Sequence, residues 1–227
     1  MLNKETKVAQ HLINRVPQLR ISISNGNKKM GHIKSISLPP IKSFYTGERI
    51  CIKCDCNTDC YAFCNIYRRQ KQPAAAYEDN YYTLKNDPDL FWRTVEEAIM
   101  TSRSFRWHVS GEILNMDYLN HMVDIAKRNS HCEMLCFTKK FPLVNLWIKK
   151  NGNIPDNLHI IFSAWKGLKM CNPYHLPECH IIYKDGSTTA SEEKTSYICS
   201  GNCTECFCKN KLCFALKKNE QILIHQH

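Results

Sequence analysis

Ten of the fourteen cysteines in this chain stand in two short runs, and thiols at that spacing can share a metal centre. The first knot is Cys51, Cys54, Cys56, Cys60 and Cys64; the second is Cys199, Cys203, Cys206, Cys208 and Cys213. Where glutathione and thioredoxin keep thiols reduced, such knots read first as metal sites, with a disulfide framework as the lesser alternative. Cys56-Asn-Thr-Asp-Cys60, followed by Tyr-Ala-Phe-Cys64, puts three thiols in one loop that can wrap around a polynuclear centre. Three protein ligands leave one metal position open to a substrate or cofactor, whereas four close the site. Zinc would instead take Cys51-Ile-Lys-Cys54 as one half of its ligand set and two of the other thiols as the second half. Spacing alone does not choose between iron–sulfur and zinc. The second knot can supply four ligands with one to spare, and a zinc knuckle that folds the tail is one reading of it. Cys171, Cys179, His175 and His180 are near enough in sequence to join either centre.

Other residue types mark candidate chemistry by position. Glu112 closes Ser110-Gly111-Glu112 just after an apolar stretch, where a carboxylate can meet an ammonium group or a transferable proton; its plain alternative is a solvated loop residue. His108 reads first as a satisfied structural histidine and second as a ligand or proton donor. Thr138, Lys139, Ser163 and Trp165 end apolar runs and are pocket candidates by placement. Cys132 and Cys136 read as small buried hydrophobes. Tyr81, Tyr82, Phe91 and Trp92 read as packing rather than a base-stacking platform.

The elements that must hold these residues can be read from periodicity. Residues 1–20 form an arm or short helix. Ile21–Ser24 and Ile33–Leu38 alternate apolar with polar around Asn25-Gly26, a turn signal, and Pro39-Pro40 stops the second run. The first knot follows in an irregular loop, and regular structure resumes after Asn80. Asp87-Pro88 starts a helix with Leu90, Phe91, Val95, Ala98 and Ile99 on one face. Phe105–Val109 is a strand. Asn115 caps a second helix that ends at Lys127 and Arg128. Glu133–Thr138 is a strand, Phe141–Lys150 a helix stopped at Gly152, Leu158–Trp165 a strand and His180–Tyr183 another. Strand and helix in alternation predict an α/β fold with a parallel sheet, which right-handed crossovers would curl into a barrel or partial barrel. In such folds chemistry sits beyond the carboxyl ends of the strands, where the first knot and Ser110-Gly111-Glu112 both fall. The expected organisation is an arm over 1–20, an α/β unit over 21–183 with a Cys-rich loop at 51–64, and a linker with a Cys-rich metal-binding tail over 184–227.

At 227 residues, 43% apolar, the chain can build a core without crosslinks. The first residues carry scattered charge and no apolar run of the secretory type, and no stretch approaches a membrane span, so a cytoplasmic location is expected. The formal charge is +10, which bound thiolates would reduce. Its bland reading is solubility; its sharper one is a nucleic-acid partner. The sequence does not specify an oligomeric state.

Set together, a cysteine loop after the first strand, a helix, and a strand ending in Ser-Gly-Glu resemble the start of a radical S-adenosylmethionine (SAM) enzyme. That resemblance implies a 4Fe-4S cluster on Cys56, Cys60 and Cys64, S-adenosylmethionine bound along Ser110, Gly111 and Glu112, Phe63 as the aromatic residue before the third cysteine, and an auxiliary cluster at the second knot. Two departures stand out. Three residues rather than two separate Cys60 from Cys64, and Ser110 stands where the pattern has glycine. A closer resemblance is to a bacteriophage family, the gene product eighty-eight proteins. It runs through Ser35-Ile-Ser-Leu-Pro-Pro40, Cys60-Tyr-Ala62, Arg106-Trp-His-Val-Ser-Gly-Glu112, Phe137-Thr-Lys139 and Gly201-Asn-Cys-Thr-Glu-Cys206. It implies a phage or prophage origin, hence the host cytoplasm, and a partial parallel β/α barrel of radical-SAM-like type. It implies no particular activity.

Overall fold

A computed structural model describes residues 7–27, 30–52, 56, 59–60, 62–67, 69–209 and 211–226, without the side chains of residues 65, 204, 207 and 208. Cys54 and the side chain of Cys208, both expected as metal ligands, therefore lie outside the described residues.

The chain is α/β. Its strands are β1 (Lys34–Ile36), β2 (Ser104–Trp107), β3 (Glu133–Thr138), β4 (Leu158–Ser163), β5 (Glu178–Ile182), β6 (Thr195–Ile198) and β7 (Glu220–His225). They form one seven-stranded sheet in the order β1-β2-β3-β4-β5-β7-β6, and every neighbouring pair is parallel. Parallel strands need crossovers, and helices supply most of them. Helices α2 (Lys71–Asn86) and α3 (Pro88–Met100) link β1 to β2, α4 (Met116–Arg128) links β2 to β3, and α5 (Phe141–Asn151) links β3 to β4.

Local chemistry fixes these helices. The Asp87 carboxylate accepts from the Leu90 N–H at 3.0 Å with Pro88 next to it, and Asn115 accepts from the Tyr118 N–H at 2.9 Å. Gly152, at φ 86°, ends α5. The apolar faces of α3, α4 and α5 pack on one face of the sheet, against Phe105, Trp107, Met134, Cys136, Ile160 and Phe162. The opposite face carries Leu135, Ile161, Cys179 and Ile222, covered by residues 212–216 and part of the second knot. Strands covered on both sides read as continuous apolar runs, as Met134-Leu135-Cys136 does.

Three features differ from the sequence reading. The strand expected at 21–24 is reduced to an isolated bridge, Ser24 to Ser35. Regular structure resumes not after Asn80 but earlier, with the π-helical turn Ala62–Tyr67 at the end of the first knot and then α2, which buries Glu78, Asp79, Asn80 and Thr83. Residues 184–227 are not only a linker and tail: β6 and β7 enter the sheet, and β7 pairs with β5 along Glu178–Ile182. Between them lie α6 (Cys203–Lys209) and α7 (Leu212–Ala215). The N-terminal arm holds α1 (Lys7–Ile13), which packs with Phe63, Ile66, Tyr67, Ala74 and Ala75 in a cluster of its own. No helix among the described residues is long and apolar enough to cross a membrane.

Candidate functional site

The carboxyl ends of β1 and β2 are stitched together beyond the sheet. His108 N–H donates to Ile36 O at 3.0 Å, Leu38 N–H donates to Ser110 O at 2.9 Å, and the Ser110 hydroxyl returns a bond to Leu38 O at 2.9 Å. Gly111 follows at φ +98°, where a Cβ would stand 2.7 Å from Leu38 Cβ and 3.1 Å from its carbonyl oxygen. A side chain is excluded there by both conformation and space.

Glu112 is buried, and its oxygens are engaged. Oε1 accepts from Thr138 Oγ1 at 2.5 Å and from the Ile113 N–H at 2.8 Å; Oε2 accepts from the Lys139 N–H at 2.8 Å. Burial raises its pKa while these donors oppose the rise. Glu112 is thus neither a solvated loop residue nor an unengaged base: it ties the end of β2 to the end of β3. His108 is satisfied as well. Its Nε2 is 2.9 Å from Tyr118 Oη, and burial pushes its pKa down to about 3, so the ring is neutral at neutral pH. His180 likewise uses both ring nitrogens, towards Thr189 and Glu178. Cys132 and Cys136 are buried.

The first cysteine loop is held by α2. Buried Glu78 accepts from the Ser43 hydroxyl at 2.7 Å, the Phe44 N–H at 2.8 Å and the Tyr67 hydroxyl at 2.8 Å. Tyr67 ends a π-helical turn, Ala62–Tyr67, that follows Cys60 and contains Phe63 and Cys64. Such turns are rare and recur at functional sites. On the other side of the loop, the Ile41 N–H approaches Cys51 Sγ at 3.4 Å. Burial, followed by the Glu112 carboxylate, pushes the Cys51 thiol up to about 12.

These pieces enclose a cavity of about 250 Å³, walled by Cys51, Cys56 and Cys60 on one side and by Ser110, Gly111 and Glu112 on another. Thr138, Lys139, Ser163 and Trp165 line it too, as their positions at strand ends suggested. The Lys139 ammonium donates to Ser163 Oγ at 3.0 Å. A second cavity, of about 300 Å³, lies against the sheet face opposite the helices and is lined by Cys199, Cys203, Cys206 and Cys213 with Cys179 of β5. The two share walls at Arg106, Val109, Phe137, Ser163, Ile181 and Ile224, so the knots address neighbouring parts of one sheet face.

The donor chemistry of both walls fits a thiophilic metal or cluster. Among the described residues, however, no three Cys, His, Asp or Glu side chains converge tightly enough to hold an ion as placed. Cys56 is disulfide-bonded, so its use as a ligand begins with reduction. What the sequence reading did not single out is Arg106, which lines both cavities; its signal was a cation between two buried aromatics, Phe105 and Trp107.

A family model described as Gene product 88 matches residues 12–177. The matched segment holds the first knot, Ser110-Gly111-Glu112 and strands β1 to β4, and stops before the second knot. No curated protein and no solved structure matches the chain.

Proposed function

The chain belongs to the Gene product 88 family, and from that premise we propose that it is an iron–sulfur protein on a partial parallel β/α barrel of the radical-SAM-like kind. The observation that carries this reading is a shared cavity: Cys51, Cys56 and Cys60 line it together with Ser110, Gly111 and Glu112, beyond the ends of parallel strands. In this reading Cys56 and Cys60 are ligands of the first centre, with Cys51 or Cys64 as the third. A 4Fe-4S cluster there would supply the electron for reductive cleavage of S-adenosylmethionine. Glu112 acts as a positioning residue that fixes the β2 and β3 ends around the ligand, and Gly111 allows close approach of backbone. The second knot is read as an auxiliary centre.

Anaerobic purification, with a visible spectrum and joint assay of iron, sulfide and zinc, tests the reading. A brown protein with about four irons per cluster, losing one cluster in Cys60→Ala, and reductive S-adenosylmethionine cleavage that fails in that variant are the expected results. Unchanged turnover in both Cys60→Ala and Glu112→Ala sinks the enzyme assignment.

One observation favours a second reading. The Glu112 oxygens are engaged by the chain itself, which leaves little capacity for an ammonium ligand. The knots are then structural zinc sites, and the +10 charge serves a nucleic-acid partner. Colourless protein with stoichiometric zinc, no sulfide and salt-sensitive DNA or RNA binding would identify it.

A further inference from the structure

We propose that the sheet face opposite the helices binds a small organic anion with an apolar body, its carboxylate or phosphate head held by the guanidinium of Arg106. Arg106 is the third residue of β2, in register with Ser35 of β1 and Leu135 of β3. Side chains alternate along a strand, so Phe105 and Trp107, both 0% exposed, enter the helix-packed core while Arg106 takes the other face. There it lies over the Phe137 ring, 5.1 Å from its centroid.

Arg106 has no ion-pair partner among the described residues, and its buried Nε has no hydrogen-bond partner. Arginine cannot shed its proton in a protein, so the site cannot neutralise itself by titration. A cation–π contact offsets only part of the cost of burying charge. The carboxylate in the adjoining cavity, Glu112, is turned to Thr138 and Lys139 instead.

The surroundings define the rest of the ligand. The cavity of about 300 Å³ that Arg106 lines carries Leu135, Phe137, Ile181, Ile222 and Ile224 on one part of its wall, and Asn202, Lys211 and the second-knot cysteines on another. That volume is near the lower end of small-molecule sites, roughly 300–1,000 Å³. A planar fork of N–H donors above an aromatic ring, beside an apolar wall, is matched by a flat anionic head on an apolar body. The second-knot thiols Cys199, Cys203, Cys206 and Cys213 stand on the same wall, so a metal held there would adjoin the anion rather than replace it. The proposal concerns binding alone and stands whether the first knot carries iron or zinc.

Titration of benzoate and of phenyl phosphate into the full chain by calorimetry tests it, with iron and zinc measured on the same samples. Wild type should bind at least one probe, and Arg106→Gln should weaken that binding about tenfold to a hundredfold. The stronger of the two probes identifies the head group. If Arg106→Gln does not fold, Arg106→Lys carries the test: it keeps the charge and loses the fork, and must still weaken binding. Failure of wild type to bind either probe, or equal binding by the folded variant, overturns the proposal. So does a variant that loses metal from the second knot while binding the probes as wild type does, since Arg106 would then balance thiolates. Protein without iron that binds a probe through Arg106 retains this proposal and loses the cluster reading.

Discussion

Gly111 and Glu112 are adjacent, and each is fixed by a neighbour distant in sequence. Gly111→Ala places a methyl group against Leu38 in a left-handed backbone. Strain and overpacking together should cost roughly 2–4 kcal/mol, read as a lower urea midpoint with an unchanged slope. Glu178 gives a pH-dependent counterpart. Burial opposes its ionisation, but bonds from His180, Lys194 and Asn172 prevail and hold its carboxyl down to about 2. An unfolded glutamate titrates near 4.3. Between those values the unfolded chain binds a proton that the folded chain does not, so this stabilisation is complete above the unfolded value and lost as pH falls towards 2. Glu178→Gln should therefore cost roughly 3 kcal/mol at pH 7, and its deficit against wild type should shrink in denaturation series run from pH 6 down to pH 3. An undiminished deficit at pH 3 would mean that packing, not charge, is what the substitution removes.

Among the elements, α2 lines neither cavity but anchors the segments around the site, while contributing little to the main apolar core. Three consecutive buried residues divide the task. Glu78 holds the start of the cysteine loop, Asn80 Nδ2 donates to Ser37 O at 2.9 Å, and Asp79 receives Arg15, Arg20 and the Gln18 N–H. Asp79 is 0% exposed, whereas the Arg20 side chain is 49% exposed and that half of the pair is screened. Asp79→Ala should cost roughly 2–3 kcal/mol and release residues 14–24, which limited proteolysis would show as cleavage there ahead of any cut in α3 to α5. Cleavage first within the sheet would mean that the arm is held by other contacts.

At the scale of the molecule, the tail is a sheet component. β7 lies between β5 and β6, and Ile222 packs with Leu135, Ile161 and Cys179. Deleting residues 184–227 would expose the β5 edge and that apolar face together. The truncated chain should aggregate or unfold without cooperativity, as read by size-exclusion chromatography and thermal denaturation. A monomeric remainder with a sharp transition would show instead that the tail is dispensable for folding.

The sequence by itself determined the elements whose signals are local. Asp87-Pro88, Asn115 and Gly152 mark helix ends through bonds to residues within a few positions, and the runs at 133–138 and 158–163 are apolar enough to read directly as buried strands. It also placed Ser110-Gly111-Glu112 and the first knot at strand ends, because alternation of strand and helix makes the carboxyl edge a single rim. Helix α2 was hidden because its inward face is charged and amide-bearing, so apolar periodicity has nothing to register. The short, partly exposed β6 and the late β7 were hidden because a strand is stabilised by its neighbours, and β7 has its partner some forty residues earlier in the chain. The engagement of Glu112 by Thr138 and Lys139, and the isolation of Arg106 among apolar side chains, were decided only by the tertiary structure. Both depend on which strands lie side by side, and pairing between distant segments is set by the packing of the whole sheet rather than by any local run of residues.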